Sequence, residues 1–311
     1  MNGGRQLTCA EVLEIACRHL EGLAGHIFDV LDVSKPVSPE AATFLAKVIS
    51  KLSPLVGNMI EFNAVELLND QAEFAGQGEW RRQDPGFPDT IFVGNVQPVP
   101  GFEIKAWFPL ATEITARFRD SQNHFVGNNT NVALLAWLPE RLIYGRPRIV
   151  DVCVVSALSV AAARDGHYHN PPDYLVLEPE DTRERTRNLQ QTNTAGYKWQ
   201  GRPSDFKLAE EMVRGWGADG RTYRPTPEYQ ATLRELTARF PYRLDTNFAK
   251  IDRIAHPELE AFKTRVEEKV VFERSVAGWV RLFARGSEAQ IQRELEEKLD
   301  IREENAEKLV Q

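Results

Sequence analysis

The sequence predicts an α/β fold in which a central mixed β-sheet is flanked by helices, with additional helices towards both ends of the chain. Apolar residues recur at helical spacing over residues 9–31 and 38–52. The middle of the chain holds short β-branched and aromatic runs bounded by Gly, Pro and Asn, a pattern typical of strands. From about residue 203 onwards the pattern is again mainly helical, interrupted by Gly- and Pro-containing loops.

The length of the chain favours one large domain. Its 311 residues are 42% hydrophobic, which suffices for a packed core. We expect a single domain over 1–311 that begins with a helical part, 1–54. A core over 55–202 would carry the function, and a mainly helical C-terminal part would cover 203–311.

Composition argues against a membrane or secreted protein. No apolar run approaches the roughly 18–20 residues that cross a membrane, and the N-terminal residues lack the pattern of a signal peptide. The three cysteines, Cys9, Cys17 and Cys153, follow no metal or disulfide spacing, which favours a reducing compartment. The net charge of −7 bears on solubility rather than on what one face of the protein binds. We therefore expect a cytoplasmic protein with no membrane partner.

The predicted elements follow in order along the chain. Ser38 and Pro39 are a typical helix start, with Ser38 as the cap. A third helix is predicted over 55–74, and "GQGEWRRQDPG" (76–86) is predicted to be a loop. A hairpin is expected next, in which 90–93 pairs with 102–108. A buried strand is predicted over 131–138, and a strand that continues as a helix over 148–165. A further short strand is predicted over 173–179.

The strand "FEIKAWF" (102–108) carries two charges inside an apolar run. Residues i and i+2 of a strand point to the same side, so Glu103 and Lys105 share a face. If the hairpin forms, Asp89 at the start of the preceding strand can approach both of them. The alternative is a surface hairpin in which Glu103 and Lys105 form an exposed pair. Apolar neighbours on both sides favour the buried arrangement.

Two carboxylates beside an ammonium group have a chemical use. Carboxylate oxygens are hard ligands suited to Mg²⁺, which retains several waters and completes its shell with substrate phosphate. The ion lowers the pKa of a bound water and neutralises charge on phosphorus. A lysine can position or deprotonate that water and stabilise the developing negative charge. The pattern therefore predicts metal-assisted hydrolysis of a phosphodiester.

The segment Pro88-Asp89, followed by Glu103-Ile104-Lys105 on an apolar strand, resembles the PD…(D/E)xK motif of the restriction-endonuclease-like nucleases. The helix "SPLVGNMIEFNAVELL" also resembles the one that precedes the motif in that family, and Glu61 occupies the position of its metal-assisting glutamate, with Glu66 as the alternative. The resemblance covers about 55–108.

The resemblance implies a restriction-endonuclease-like core and a type II restriction enzyme acting in a prokaryotic cytoplasm. It implies that Mg²⁺, with Mn²⁺ as a possible substitute, is held by Asp89, Glu103 and Glu61, while Lys105 serves the water and the transition state. Double-stranded DNA with symmetric sites implies a homodimer or a higher homo-oligomer. A nucleotide cofactor is not expected, because no phosphate-loop pattern is present.

The motif is short, so its context matters. The chain holds two Pro-Asp pairs and four (D/E)xK triplets, at 103–105, 205–207, 267–269 and 296–298. Only the first triplet lies in an apolar strand-like run, and only one combination has the spacing of the family.

Two polar segments are candidates for DNA contact. Arg side chains suit guanine, Asn and Gln suit adenine, and Arg and Lys also hold phosphates. The segment 181–202 supplies Arg183, Arg185, Arg187, Asn188, Gln190, Gln191, Asn193, Tyr197, Lys198 and Arg202. The segment 117–131 supplies Arg117, Arg119 and Asn123, and Arg81 and Arg82 precede the motif as phosphate contacts. The alternative is that both segments are solvated loops.

Three rival functions remain open. A repair or recombination nuclease, or a nuclease acting on modified DNA, would keep the fold and the chemistry. A non-catalytic DNA-binding protein would carry the motif by coincidence or in inactive form. A scaffold protein without a nucleic-acid role would not bind DNA in the salt-dependent manner typical of phosphate contacts.

Overall fold

The structure of the chain is a computed structural model. It describes residues 5–83, 86–111, 127–168, 175–178, 197–200, 203–216, 242–243 and 251–302, together with short stretches between 114 and 125 and between 226 and 239.

The α-helices, in chain order, are α1 (Cys9–Glu21), α2 (Pro39–Val48), α3 (Ser53–Asn69), α4 (Ala157–Tyr168), α5 (Pro203–Gly215), α6 (Pro257–Glu268), α7 (Val276–Arg285) and α8 (Glu288–Leu299). The strands are β1 (Gly78–Arg82), β2 (Thr90–Gly94), β3 (Gly101–Trp107), β4 (Thr130–Pro139), β5 (Pro147–Ser156), β6 (Leu175–Glu178), β7 (Tyr197–Gln200), β8 (Tyr242–Arg243), β9 (Val270–Val271) and β10 (Arg274–Ser275).

The main sheet has five strands in the order β1-β2-β3-β4-β5. It is mixed, because β1, β2 and β3 pair antiparallel whereas β3 and β4 pair parallel. The helix α3 packs against β3 and β1, and α1 contacts β4. The prediction of an α/β fold with a central mixed sheet and flanking helices is therefore confirmed at that level.

The chain divides into two compact units. The first comprises Met1–Ile114, Asn129–Val154 and Glu260–Gln311, and it contains the five-stranded sheet except for the end of β5. The second comprises Thr115–Asn128 and Val155–Leu259, and it contains a three-stranded sheet of order β6-β7-β8.

Two predicted helices are shorter than expected. The helix predicted over 9–31 ends at Glu21, because Gly22 caps it and Gly25 adopts a φ of 91°, which a right-handed helix does not allow. The helix predicted over 55–74 runs instead over Ser53–Asn69, and a separate 3₁₀ turn covers Ala72–Phe74. The predicted start of α2 is correct, since the Ser38 hydroxyl accepts a hydrogen bond from the Ala41 amide and Pro39 is the first helical residue.

The loop predicted over 76–86 was wrong, because it contains the strand β1. Only Trp80 of its five residues is buried, so the strand has almost no apolar periodicity in the sequence. Such a pattern is tolerated at the edge of a sheet, where charged side chains face solvent.

Aromatic side chains fill the core between α3 and the first three strands. Trp80 lies 5.3 Å from both Phe92 and Phe102 between ring centroids, and Phe74 lies 5.4 Å from Phe92. All four rings are at most 2% exposed. These rings hold β1, β2 and the first residues of β3 together. Polar side chains contact β3 further along, beyond Phe102.

Candidate active site

The site lies where β2 and β3 diverge. The two strands pair only at Thr90 with Phe102 and at Ile91 with Gly101. Beyond Phe102, the edge of β3 that faces β2 therefore has no strand partner among the residues that the structure describes. Side-chain carboxylates accept hydrogen bonds from its backbone amides instead. Asp89 Oδ2 accepts from the Ile104 amide at 2.9 Å, and Glu61 Oε1 accepts from the Ala106 amide at 3.3 Å.

Lys105 joins the two motif carboxylates. Its Nζ lies 2.9 Å from Asp89 Oδ2 and 2.7 Å from Glu103 Oε1. The other oxygen of Glu103, Oε2, accepts a hydrogen bond from the Asp89 amide at 3.2 Å. The structure thus brings together Glu61, Asp89, Glu103 and Lys105 from one helix and two strands.

The cluster is largely withdrawn from solvent. Glu103 is 7% exposed, and the Lys105 and Asp89 side chains are 19% and 25% exposed. The alternative of an exposed Glu–Lys pair on a surface hairpin is therefore wrong. A buried charge group is retained only where partners compensate it, and here one ammonium faces three carboxylates.

Burial and mutual repulsion shift the pKa values of the cluster. Burial raises the pKa of Glu61 to about 7, and the nearby Asp89 charge acts in the same direction, whereas Lys105 opposes it. Burial likewise raises the pKa of Glu103. Burial lowers the pKa of Lys105, but the Glu103 and Asp89 carboxylates outweigh it, so the Lys105 pKa is raised and its ammonium stays charged.

One of two glycines beside the cluster is required for a close approach between elements. A Cβ on Gly101 would lie 2.5 Å from Pro88 Cγ, so β3 tolerates no side chain beneath the proline that precedes Asp89. Gly57 of α3 faces β3, where an added Cβ would lie 3.5 Å from Ala106 Cβ. That distance is an ordinary contact, so the packing of α3 on β3 would also admit an alanine at this position.

The carboxylates of this cluster could supply oxygen ligands to a divalent cation, and Lys105 is the counterion of Asp89 and Glu103 in the structure. Asp89 Oδ1 and Glu61 Oε2 accept no hydrogen bond from the residues that the structure describes, so each has an oxygen available. Carboxylates that are withdrawn from water and repel one another favour a divalent cation, which offsets their repulsion. Among the described residues, no group of three or more His, Cys, Asp or Glu side chains is arranged to hold a metal ion.

The remaining predicted residues in the described part of the chain differ in position. Glu66 is exposed, and its carboxylate makes no contact with the cluster among the described residues, so Glu61 is the helix carboxylate of the site. The Arg81 guanidinium pairs with Glu79 on the surface. Arg82 lies closer to the site, and its charge lowers the pKa of Glu61 against the larger effect of burial.

The other predicted DNA contacts lie outside the described residues. They are Arg117, Arg119, Asn123, Arg183, Arg185, Arg187, Asn188, Gln190, Gln191, Asn193 and Arg202. Tyr197 and Lys198 belong to β7, for which only the backbone is described.

Sequence reasoning missed two features beside the site. Phe62, which follows Glu61, is an exposed aromatic residue 5.9 Å from the Arg82 guanidinium carbon. Asn69 at the end of α3 binds both backbone groups of Trp80. The only signal for Phe62 was an aromatic residue off the apolar face of a helix, and nothing in the sequence linked Asn69 to β1.

Comparisons with protein-family models, with curated proteins and with solved structures find no match for this chain. In the part of the chain that the structure describes, no helix has the length and apolar character needed to span a membrane. Fold and site together define an α/β protein with a buried carboxylate–lysine cluster at the point where two strands of a mixed sheet diverge.

Proposed function

We propose that the protein is a Mg²⁺-dependent endonuclease that hydrolyses phosphodiester bonds of double-stranded DNA. The observation that carries the proposal is the convergence of Asp89, Glu103 and Lys105, with Glu61 on the adjacent helix. The carboxylates supply oxygen ligands for Mg²⁺, and the Lys105 ammonium supplies a positive charge for a phosphate. The resemblance to PD…(D/E)xK nucleases implies the same division of roles. We further propose that the core is restriction-endonuclease-like.

Each residue has a role that follows from its surroundings. Asp89, Glu103 and Glu61 would hold Mg²⁺, which supplies a bound water of lowered pKa and neutralises charge on the phosphate. Lys105 stays protonated beside the carboxylates, so it donates hydrogen bonds to a phosphate oxygen and stabilises the negative charge that develops there. The backbone amides of Ile104 and Ala106 hold the carboxylates of Asp89 and Glu61 in place.

The finer assignment is a type II restriction enzyme in a prokaryotic cytoplasm. It would act as a homodimer, with the arginine- and amide-rich segment at 183–202 contacting bases. A repair or recombination nuclease would keep the same site, and fragment ends tell the two apart. Discrete ends at one short sequence support a restriction enzyme, and scattered ends contradict it.

One observation favours a non-catalytic DNA-binding protein instead. Among the described residues no metal-binding group is arranged, and Lys105 already compensates two carboxylates. In that case the cluster would serve stability alone. Metal-dependent cleavage separates the two functions.

The test compares Lys105→Met with Lys51→Met, which removes an exposed lysine outside the site. Both variants and the wild type are incubated with plasmid DNA and Mg²⁺, and binding to a DNA duplex is measured separately in Ca²⁺. We expect Lys105→Met to lose at least about a hundredfold in cleavage rate, because a preorganised charge at the transition state is lost. Its duplex affinity should stay within a few-fold of the wild type.

Lys51→Met should cleave like the wild type. Cleavage by Lys105→Met at the wild-type rate would show that the site is assigned wrongly. An absence of metal-dependent cleavage by the wild type, with duplex binding retained, would favour the non-catalytic function.

A further inference from the structure

Phe62 and Arg82 form a contact next to Glu61 of the carboxylate cluster. The Arg82 guanidinium carbon lies 5.9 Å from the centroid of the Phe62 ring, within the range of a cation–π interaction. Arg82 is the last residue of β1 and pairs with Thr90, the residue that follows Asp89. Phe62 follows Glu61 in α3. Phe62 is therefore the chain neighbour of a site residue, and Arg82 pairs with the residue next to another one.

Phe62 is half exposed, unlike the aromatic residues of the neighbouring core. It is 49% exposed, although the adjacent core holds four aromatic rings that are at most 2% exposed. Single exposed apolar residues need no explanation by themselves. Here the Arg82 guanidinium lies over the exposed Phe62 ring, and both residues are close to Glu61 of the cluster. Together they form a surface with one apolar and one positively charged part.

The Arg82 guanidinium is available to an anion. It makes no hydrogen bond or ion pair with the residues that the structure describes, in contrast to Arg81, which pairs with Glu79. An arginine that lies on an aromatic ring keeps its N–H groups at the edge free for two parallel bonds to phosphate. Stacking also limits the conformations of the side chain, so less entropy is lost when a ligand binds.

The charge of the cluster makes such a cation useful. Glu61, Asp89 and Glu103 together exceed the charge of Lys105, so they repel a phosphate that approaches the site. A cation close to Glu61, as Arg82 is, offsets this repulsion and attracts the backbone of DNA. The apolar ring next to it matches the deoxyribose that adjoins each phosphate.

We propose that Phe62 and Arg82 bind the DNA backbone next to the cleaved bond, with the Arg82 guanidinium on a phosphate and the Phe62 ring against the neighbouring deoxyribose. This inference rests on the proposed function, since it takes DNA as the ligand of the same site. It adds a substrate contact that the nuclease motif does not include.

The experiment measures duplex affinity in Ca²⁺ at a series of salt concentrations, and cleavage in Mg²⁺. The variants are Arg82→Gln, Phe62→Ala and Phe62→Tyr, with Leu55→Ala as a matched control. Leu55 is a large apolar residue of the same helix that is 57% exposed and lies outside the cluster.

Arg82→Gln should weaken binding to all duplexes alike and should reduce the slope of log affinity against log salt by about 1. Phe62→Ala should weaken affinity several-fold with an unchanged salt slope, because no charge is lost. Phe62→Tyr keeps the ring and should restore affinity, and Leu55→Ala should match the wild type. Cleavage at saturating DNA should change less than affinity, since the contact acts on binding.

Failure of the inference is distinct from failure of the proposed function. A wild type that neither binds nor cleaves duplex would overturn both. A wild type that does both, while Arg82→Gln and Phe62→Ala match Leu55→Ala, would overturn the inference alone. A change of molar mass in solution on Phe62→Ala, with duplex affinity unaltered, would also overturn it, because the ring would then belong to an interface between copies of the chain.

Discussion

At the scale of single residues, the position of Asp89 depends on the absence of a side chain at Gly101. An alanine Cβ there would lie 2.5 Å from Pro88 Cγ and 3.3 Å from Thr90 O, so the start of β2 would have to shift. We expect Gly101→Ala to cost about 1–3 kcal/mol of unfolding free energy, as overpacking does. It should also reduce cleavage strongly, because Asp89 follows Pro88.

Gly57→Ala is the matched control for that change. Its Cβ would lie 3.5 Å from Ala106 Cβ, an ordinary contact, and alanine favours a helix over glycine. Urea unfolding and the plasmid assay check both variants. Equal stability and activity of the two variants would show that the contact of Gly101 with Pro88 does not position the site.

The raised pKa of Glu61 predicts how stability depends on pH. Burial raises this pKa from 4.5 to about 7 in the folded chain. Between these values the folded state binds more protons than the unfolded state, so the contribution of Glu61 to stability is fully present below about 4.5 and is lost as the pH rises through about 7. Since one pKa unit corresponds to about 1.4 kcal/mol, the effect is measurable.

We therefore expect the melting temperature of the protein in EDTA to fall between pH 5 and pH 8, apart from the contributions of other groups. Glu61→Gln cannot ionise, so its melting temperature should fall less over the same range. Glu66→Gln, which changes an exposed glutamate of the same helix, should follow the wild type. Parallel curves for the wild type and Glu61→Gln would contradict the environment assigned to Glu61.

At the scale of elements, Asn69 fixes α3 to the edge of the sheet. Its Nδ2 donates to Trp80 O at 2.9 Å, and its Oδ1 accepts from the Trp80 amide at 2.7 Å. The side chain thus takes the place of a neighbouring strand along the free side of β1. The same connection sets the distance between α3, which carries Glu61 and Phe62, and the strand that ends at Arg82.

Asn69→Ala leaves both backbone groups of Trp80 without a protein partner. We expect a loss of about 1–2 kcal/mol of unfolding free energy, in the lower part of the usual range because Asn69 is exposed and water can replace it. Asn58→Ala removes an exposed asparagine of the same helix that makes no side-chain hydrogen bond with the described residues, and it should be nearly neutral. Equal midpoints in urea for the two variants would contradict this role of Asn69.

These elements indicate what a single sequence can predict. The side shared by Glu103 and Lys105 follows from the alternation of a strand, so their proximity was predictable, as was the approach of Asp89 once a hairpin was assumed. The strand β1 was not predictable, because Glu79 and Arg81 flank a single buried tryptophan. The divergence of β2 from β3 depends on tertiary packing, so the amides of Ile104 and Ala106 had no predictable partners.

At the scale of the whole molecule, the described residues of each chain form one carboxylate–lysine cluster, whereas the proposed endonuclease needs two reactions to cut both strands of DNA. The two strands of a symmetric site are related by a two-fold axis, and a homodimer provides two clusters with the same symmetry. We therefore expect a particle of twice the 35.3 kDa of one chain. It should convert supercoiled plasmid to linear DNA with little nicked circle along the way.

Mixing the wild type with an excess of Lys105→Met tests this prediction. Most wild-type chains would then reside in heterodimers that hold a single competent cluster, so each heterodimer can cut only one strand in a binding event. Nicked circles should accumulate in proportion to the excess, whereas an excess of Lys51→Met should leave linear DNA as the main product. Light scattering gives the molar mass, and gel electrophoresis over time gives the products. A mass of one chain, together with nicked circles that precede linear DNA in the unmixed wild type, would show that each chain acts alone.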